Sequence, residues 1–411
     1  QLYLCRENLD SYKRLTQAVK EAGLQVNGFA PYLVMQANHS GRYSNPGNKP
    51  APMIAYRHPI LEQYRAADDS CVVSDDYLKG LEVKFGEAAA LAKEAGFDAV
   101  DIKSCHGYLL AELASAYNRP GEYGGSFENR MRFPLEVLRA VRKQVGPGFP
   151  ILFRYSMEEF MPGGIDMEQA VRIARVMADN GVDMLNVSIG IGESVEYIIP
   201  PASVPDGWNA DRAAVIKQAV GSRIPVAVVG RICNRKTAEG IIASGKADLV
   251  AMGRALLADP FLPAKLAEGR DDEILTCIGC NEGCTGHTGK LLDITCAINP
   301  RAGYEGKYPL GVKADKALKV AVVGAGPAGL QAALTAAQRG HSVTLFERGE
   351  DIGGLLHPAS RPPFKDSLME LVRYFRHELD ALGVNIRCGV TVTGRMLQAQ
   401  AFDMTTIEDV Y

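Results

Sequence analysis

Neither sign of charge dominates this sequence: 45 Lys and Arg stand against 48 Asp and Glu, a formal net charge of −3. Basic residues never run to five in a row, so the electrostatic footprint of a nucleic-acid or anionic-membrane binder is missing and any phosphate must be held locally. No apolar stretch reaches the roughly 18 residues of a membrane span, and Gln1 to Asp10 carry no basic-then-apolar signal. A soluble, cytoplasmic protein is expected, with no nucleic-acid or membrane partner. Cysteine is sparse, nine in 411 residues, too few for a secreted disulfide scaffold. Four of the nine nevertheless crowd between residues 277 and 296, which suggests a metal site in a reducing compartment.

What remains is average globular composition, 47% apolar, at a length that predicts two or three domains. From about residue 24 to 270 short apolar runs alternate with amphipathic segments. The expected strands are Phe29 to Gln36, Phe97 to Lys103, Phe149 to Tyr155, Val182 to Ser188, Pro225 to Gly230 and Asp248 to Gly253. Between them Gly86 to Ala95, Pro134 to Val145, Met167 to Asn180 and Arg235 to Ala243 space their apolar residues for one helical face each. Such alternation predicts a parallel sheet. Unusual residues recur at strand ends: Gln36, Lys103, Arg154, Ser188, Gly230 with Arg231, and Gly253 with Arg254. That is the active-site rim of a (β/α)8 TIM barrel. Six strands are not eight, and the chain begins on a helix-like segment (Leu9 to Ala22), so the first strands are expected to be missing.

Residues 271–312 are rich in cysteine, glycine and proline without periodicity. From Leu318 the pattern resumes as strand, glycine turn, Ala-rich helix and second strand ending in Glu347, the opening of a Rossmann-like dinucleotide-binding domain. About 90 residues follow, fewer than such a domain ordinarily needs, so the carboxyl end also looks truncated. The expected division is a barrel over 1–270, a metal-binding segment over 271–312 and a partial nucleotide-binding domain over 313–411.

Four motifs carry chemistry. Cys277, Cys280, Cys284 and Cys296 follow C-x-x-C-x-x-x-C with a fourth thiol eleven residues on. Four thiolates suit zinc or an iron-sulfur cluster; because three converge within eight residues and one arrives alone, rather than as two paired knuckles, the cluster is favoured and zinc is the alternative. Gly324, Gly326 and Gly329 form G-x-G-x-x-G between strand and helix, with Glu347 placed to accept ribose hydroxyls and Gly353 and Gly354 offering a second close backbone approach. Lys103, His106 and Tyr108 put three donors of graded acidity on the barrel rim. The Gly-Arg pairs at 230–231 and 253–254 suit the barrel's phosphate site.

QANHSGR (Gln36 to Arg42), HGYLL, YGGSFENRMRF, VAVVGRI, LVAMGRALLADP, the four-cysteine spacing and VVGAGPAGL occur in this order along nearly the whole chain. Together they resemble the multidomain branch of the Old Yellow Enzyme family, the NADH:flavin oxidoreductases typified by bacterial 2,4-dienoyl-CoA reductase. The resemblance implies FMN in the barrel, a [4Fe-4S] cluster on the four cysteines, and FAD with NADH or NADPH on the last module. Gln36 and Arg154 would contact the flavin ring of FMN, and Gly230, Arg231, Gly253 and Arg254 its phosphate. Gly324, Gly326, Gly329, Glu347, Arg348 and Gly354 would hold FAD. Electrons would pass from NAD(P)H to FAD, through the cluster to FMN, and leave as hydride to the β-carbon of an α,β-unsaturated carbonyl compound. Tyr108 matches the family's proton donor, with His106 and Lys103 polarising the carbonyl.

Two departures bear on the substrate. A His-x-x-His or His-x-x-Asn pair usually precedes that tyrosine; here Lys103 takes the first place. The dienoyl-CoA branch also has a histidine in the loop after strand six, where this chain has Glu193 and Ser194. A bulky enone such as a 3-oxo-4-ene steroid or bile-acid-like compound is therefore expected as readily as an enoyl or dienoyl thioester. The alternatives are an amine dehydrogenase of the same superfamily, whose second and third cysteines are one residue closer, and a non-enzymatic electron-transfer protein. A homo-oligomer is compatible with all three.

Overall fold

The computed structural model describes residues 3–407 and divides into two compact units, the first reaching to Ile199 and adding Gly207–Ile232 and Thr237–Ala251, the second taking Pro200–Asp206, Cys233–Lys236 and the chain from Met252 on. In the first unit six strands form one sheet: β1 (Val34–Ala37), β2 (Ala99–Ser104), β3 (Ile151–Ser156), β4 (Met184–Ser188), β5 (Val226–Val229) and β6 (Leu249–Ala251). Every neighbouring pair is parallel and the spatial order is the sequence order. A doubly wound sheet reverses its order at a switch point; this one does not, and a sheet that advances strand by strand is the wall of a (β/α) barrel. β2 is buried along its whole length, as a strand covered on both faces must be.

The helices begin where the sequence offers an oxygen for their first free amides. Ser74 accepts from Tyr77 N at the start of Asp75–Glu94, Ser126 from Asn129 N before Phe127–Val145, and Asp166 from Gln169 N before Met167–Asp179. The first two begin earlier than the expected segments, and those expected to end at Ala95 and Asn180 end one residue sooner, at Glu94 and Asp179. β1 is shorter than expected: Phe29 and Tyr32 are exposed, and Pro31 between them cannot donate to a ladder.

The Arg42–Glu112 ion pair is buried inside this unit. Arg42 Nε donates to Glu112 Oε1 at 2.5 Å, with side chains 0% and 2% exposed, while Glu112 Oε2 accepts from Ala55 N and the other arm of Arg42 reaches Tyr56 O. Removing one member strands the other in the core. Arg42→Met is therefore expected to lower unfolding stability by roughly 3–5 kcal/mol in urea denaturation, and a loss under about 1 kcal/mol would show the pair to be no more than a surface-type contact.

The second unit holds a four-stranded parallel sheet of order β10-β7-β8-β9, from β7 (Lys319–Val323), β8 (Ser342–Phe346), β9 (Asn385–Arg387) and β10 (Met404–Ile407). Its core joins Val320, Val322 and Leu345 to Leu330 and Leu334 of helix Pro327–Gln338 and to Leu371, Phe375 and Leu379 of helix Ser367–Ala381. Ala258 and Leu275 belong to the same core, and Ala255, Leu262 and Ile274 pack with Cys233. By contact the second unit takes in residues 252–270 together with 271–312 and the nucleotide-binding module, alongside Pro200–Asp206 and Cys233–Lys236. The reason is that helices Arg254–Ala258 and Leu262–Glu268 bury their apolar faces among residues of this unit. No described helix is long and apolar enough to cross a membrane.

Candidate active site and cofactor cradles

Register places a polar layer at the carboxyl ends of the barrel strands. Gln36 pairs across the sheet with Asp101, Lys103 with Arg154, and Arg154 with Asn186. Gln36 Nε2 and Asn186 Nδ2 both donate to Asp101 Oδ2, at 2.8 and 3.2 Å. Yet Asp101 Oδ1, Asn186 Oδ1 and Arg154 Nε are buried without a hydrogen-bond partner. Burial pushes the Asp101 carboxyl above its usual range despite those donors. Three orphaned polar atoms on adjacent strands are costly unless something else satisfies them. A flavin ring, with donors and acceptors along one edge, fits that need. Asp101 and Asn186 had escaped the sequence reading, although a charged residue inside an apolar strand was the available signal.

Above this layer the chain brings together the three rim residues that the sequence singled out. His106 sits at a positive φ of 63°, its amide donating to Ser156 Oγ and its Nε2 lying 2.8 Å from Ser188 Oγ. Burial first, then the charges of Arg154 and Lys103, hold its pKa well below the ordinary histidine value, so it is neutral at physiological pH. Lys103 is 8% exposed and burial lowers its pKa; its ammonium lies 3.6 Å from the ring centroid of Tyr108. Burial raises the pKa of Tyr108, which keeps the phenol protonated and able to serve as an acid.

Tyr43 completes the group and was not anticipated. Its ring lies 5.6 Å from that of Tyr108, and its hydroxyl donates to Glu193 Oε2 at 2.7 Å. Glycine is required on both sides of that hydroxyl: a Cβ at Gly192 would lie 2.5 Å from it and one at Gly107 2.9 Å. Glu193, read from sequence only as the replacement of a histidine, is therefore fixed in place by this tyrosine.

Glu159 is also buried in this unit, its Oε2 accepting from Ile165 N. Burial, then the charges of Glu112 and Glu193, push its carboxyl up to about 7. A carboxyl held above its unfolded value binds its proton more tightly in the folded chain, so it stabilises the fold below about pH 4.5 and that contribution is lost as pH rises to about 7. Glu159→Gln is expected to unfold at higher denaturant than the parent above pH 7, by an amount on the order of 3 kcal/mol, and to converge with it near pH 4.5. An equal difference at both pH values would contradict the buried titration.

After β5, Gly230 has φ 152° and Arg231 φ 49°. A side chain at 230 would meet Asn209 Nδ2 at 2.8 Å, and Gly207 N donates to the carbonyls of both residues. Gly253 and Arg254 lie in the second unit. There the Arg254 guanidinium donates to Pro200 O at 2.8 Å and Asn281 Oδ1 at 2.6 Å, and it lines a cavity with Cys277, Cys280, Cys284 and Cys296. Among the described residues no three His, Cys, Asp or Glu side chains converge on a single metal ion, which a tetrahedral zinc with sulfurs at about 2.3 Å would need. The four thiols around one cavity are a donor set that both zinc and an iron-sulfur cluster accept.

In the nucleotide module Gly324 has φ 99° and Gly354 φ 50°, and a Cβ on Gly354 would lie 3.1 Å from Gly326 Cα. Gly329 is buried in the following helix. The bare backbones of 326 and 354 thus meet in a cradle that a side chain would fill, as close approach to a pyrophosphate demands. Glu347 accepts from Ala325 N at 2.8 Å and Gly349 N at 2.7 Å, tying the strand end to the glycine turn; Arg348 beside it is exposed.

Residues 4–273 match the model of the NADH:flavin oxidoreductase / NADH oxidase family and residues 319–410 that of the FAD dependent oxidoreductases. The chain is 39% identical over 402 residues to an NADH oxidase of Thermoanaerobacter brockii, covering 97% of this chain and 61% of that protein. It is 38% identical over 326 residues to a cinnamate reductase of Clostridium sporogenes, covering 75% and 49%. The solved complex of 2-naphthoyl-CoA reductase with 2-naphthoyl-CoA superposes with a TM-score of 0.90 at 30% identity, over 98% of this chain and 62% of that one. The chain thus spans about half to three fifths of these proteins.

Proposed function

The chain belongs to the NADH:flavin oxidoreductase / NADH oxidase family, and from that premise we propose that it is the catalytic part of an NAD(P)H-dependent ene-reductase acting on α,β-unsaturated carbonyl compounds. The observation that carries the reading is the cluster of Lys103, neutral His106 and protonated Tyr108 over the orphaned polar atoms of Asp101, Arg154 and Asn186. When bound, FMN would supply hydride, with FAD and an iron-sulfur cluster delivering electrons from the nicotinamide. Gln36, Arg154 and Asn186 would hold the flavin ring, the turn Gly230–Arg231 the phosphate, the cysteines the cluster and the 324–354 cradle the FAD.

The chain's own residues then divide the work. His106 Nε2 lies 2.8 Å from Ser188 Oγ; in the tautomer that accepts from that hydroxyl, the imidazole proton is on Nδ1 and can be donated to the substrate's carbonyl oxygen. Lys103, a compact ammonium, stabilises negative charge developing on that oxygen more strongly than a neutral imidazole would. As hydride reaches the β-carbon, Tyr108 gives its proton to the α-carbon, and solvent restores it. The names of the cinnamate and naphthoyl-CoA reductases support a conjugated acyl substrate.

The test is anaerobic NADH consumption by the full-length holoenzyme with conjugated enals, enones and enoyl thioesters. One saturated product per NADH is expected. NADH consumption that requires oxygen, or flavin reduction by secondary and tertiary amines with no alkene reduction, would overturn the proposal.

A further inference from the structure

Asp101 lies on β2 with 4% of its surface exposed, and its hydrogen-bond partners are amides. Gln36 of β1 donates Nε2 to Asp101 Oδ2 at 2.8 Å, and Asn186 of β4 donates Nδ2 to the same oxygen at 3.2 Å. An amide carries an acceptor at one end and donors at the other, whereas a carboxylate offers acceptors alone. Each amide must therefore turn its nitrogen toward Asp101 and its oxygen away. For Asn186 that oxygen is buried with no protein partner, and so is Nε of Arg154, its neighbour in register on β3. An amide at position 101 would impose no such choice, because it could meet either end of Gln36 or Asn186 with a matching group.

We propose that Asp101 is a positioning residue that fixes which end of Gln36 and Asn186 meets the FMN ring, holding their nitrogens on its carboxylate so that their oxygens serve as acceptors for the ring's imide N–H. The inference rests on the barrel holding FMN. The imide edge of a flavin carries one N–H between two carbonyl oxygens, so its complement is an acceptor with a donor beside it. The amide oxygens supply the acceptor and Arg154 Nε the donor. Were either amide reversed, its NH2 would face the imide N–H donor to donor, and a buried unmatched donor weakens binding about tenfold or more. The carboxylate acts in this way through the amides, without itself touching the ring.

The experiment is FMN binding to full-length protein stripped of flavin and resupplied with FAD, followed by the quenching of FMN fluorescence, for the parent, Asp101→Asn, Asn186→Leu and the double variant, with urea unfolding of each FMN-free protein measured alongside. Each single variant is expected to bind FMN about tenfold or more weakly than the parent, and the double variant to lose less than the product of the two single effects, because the carboxylate works through the amide. Losses that multiply would show that Asp101 meets the ring directly and would overturn the inference. So would parental FMN affinity in Asp101→Asn with only its urea unfolding shifted, the mark of a purely structural carboxylate. A second probe, 3-methyl-FMN, lacks the imide N–H and tests the parent alone: it should bind about tenfold or more weakly than FMN, with the ratio narrowed in Asp101→Asn, and equal binding of the two by the parent would overturn the inference even if no variant folds. Parent protein that binds no FMN contradicts the flavin reading itself; a parent that binds FMN and rejects 3-methyl-FMN, with both affinities unchanged in Asp101→Asn, contradicts the inference alone.

Discussion

Tyr108→Phe should leave the reduction of flavin by NADH at its parental rate while slowing the reoxidation of reduced flavin by an enone about 100- to 10,000-fold. The substitution removes one hydroxyl and keeps the ring, so the packing of Lys103 over it and of Tyr43 beside it persists. What is lost is a proton held on the phenol by burial and given up only as the α-carbon becomes basic, an interaction made in the transition state and not in the ground state. Stopped-flow absorbance separates the two half-reactions. Parental reoxidation in the variant would remove Tyr108 from the chemistry and leave His106 or Lys103 as the acid. His106 is held neutral by burial and by the charges of Arg154 and Lys103, so the parent's rate should show no titration near the ordinary histidine value.

Cys284→Ala acts on the other end of the electron path. Cys284 shares one cavity with the other three cysteines, while Cys277 and Cys296 pack against the core of the second unit. The fold of that unit is therefore expected to survive the loss of one thiol while the four-sulfur set does not. The variant should be purified without its full iron and sulfide, NADH should bleach only the flavin that accepts its hydride, and NADH-driven alkene reduction should fall to background. Dithionite should still reduce the barrel flavin, and the variant so reduced should turn over an enone once. Unchanged steady-state turnover would show that the cysteine site lies outside the path.

These expectations follow from features that differ in how far the sequence revealed them. Period and capping made the helices legible: Arg235–Ala243 spans the residues its pattern implied, and Met167–Asp179 ends one residue short. Parallel strands were legible because burial on both faces makes them continuous apolar runs. Strand limits were less so at β1, where Pro31 interrupts pairing, and at β6, which is three residues long. Lys103, His106 and Tyr108 were legible as a set because all fall within six residues at the end of one strand. Asp101 and Asn186 were not, since a polar residue pointing into a barrel reads the same in sequence as one pointing out until the register is known. Tyr43 could not be paired with Glu193, 150 residues away; the glycines at 107 and 192 that admit its hydroxyl looked like ordinary turn residues. Arg254 shows the remaining limit. Its place after a strand is written in the sequence, but the direction of a long side chain is decided by the loops around it, here Pro200 and Asn281.

The measurement that bears most directly on the proposed reaction is a single turnover: dithionite-reduced holoenzyme mixed, without oxygen, with a panel of conjugated carbonyl compounds, with flavin absorbance and product mass followed together. Return of the oxidised flavin band at a rate that rises with substrate concentration, matched by one equivalent of product two hydrogens heavier, is the expected result. A flavin that stays reduced across enals, enones and thioesters, yet reoxidises with a protein or dye acceptor, would contradict it and make the barrel an electron carrier.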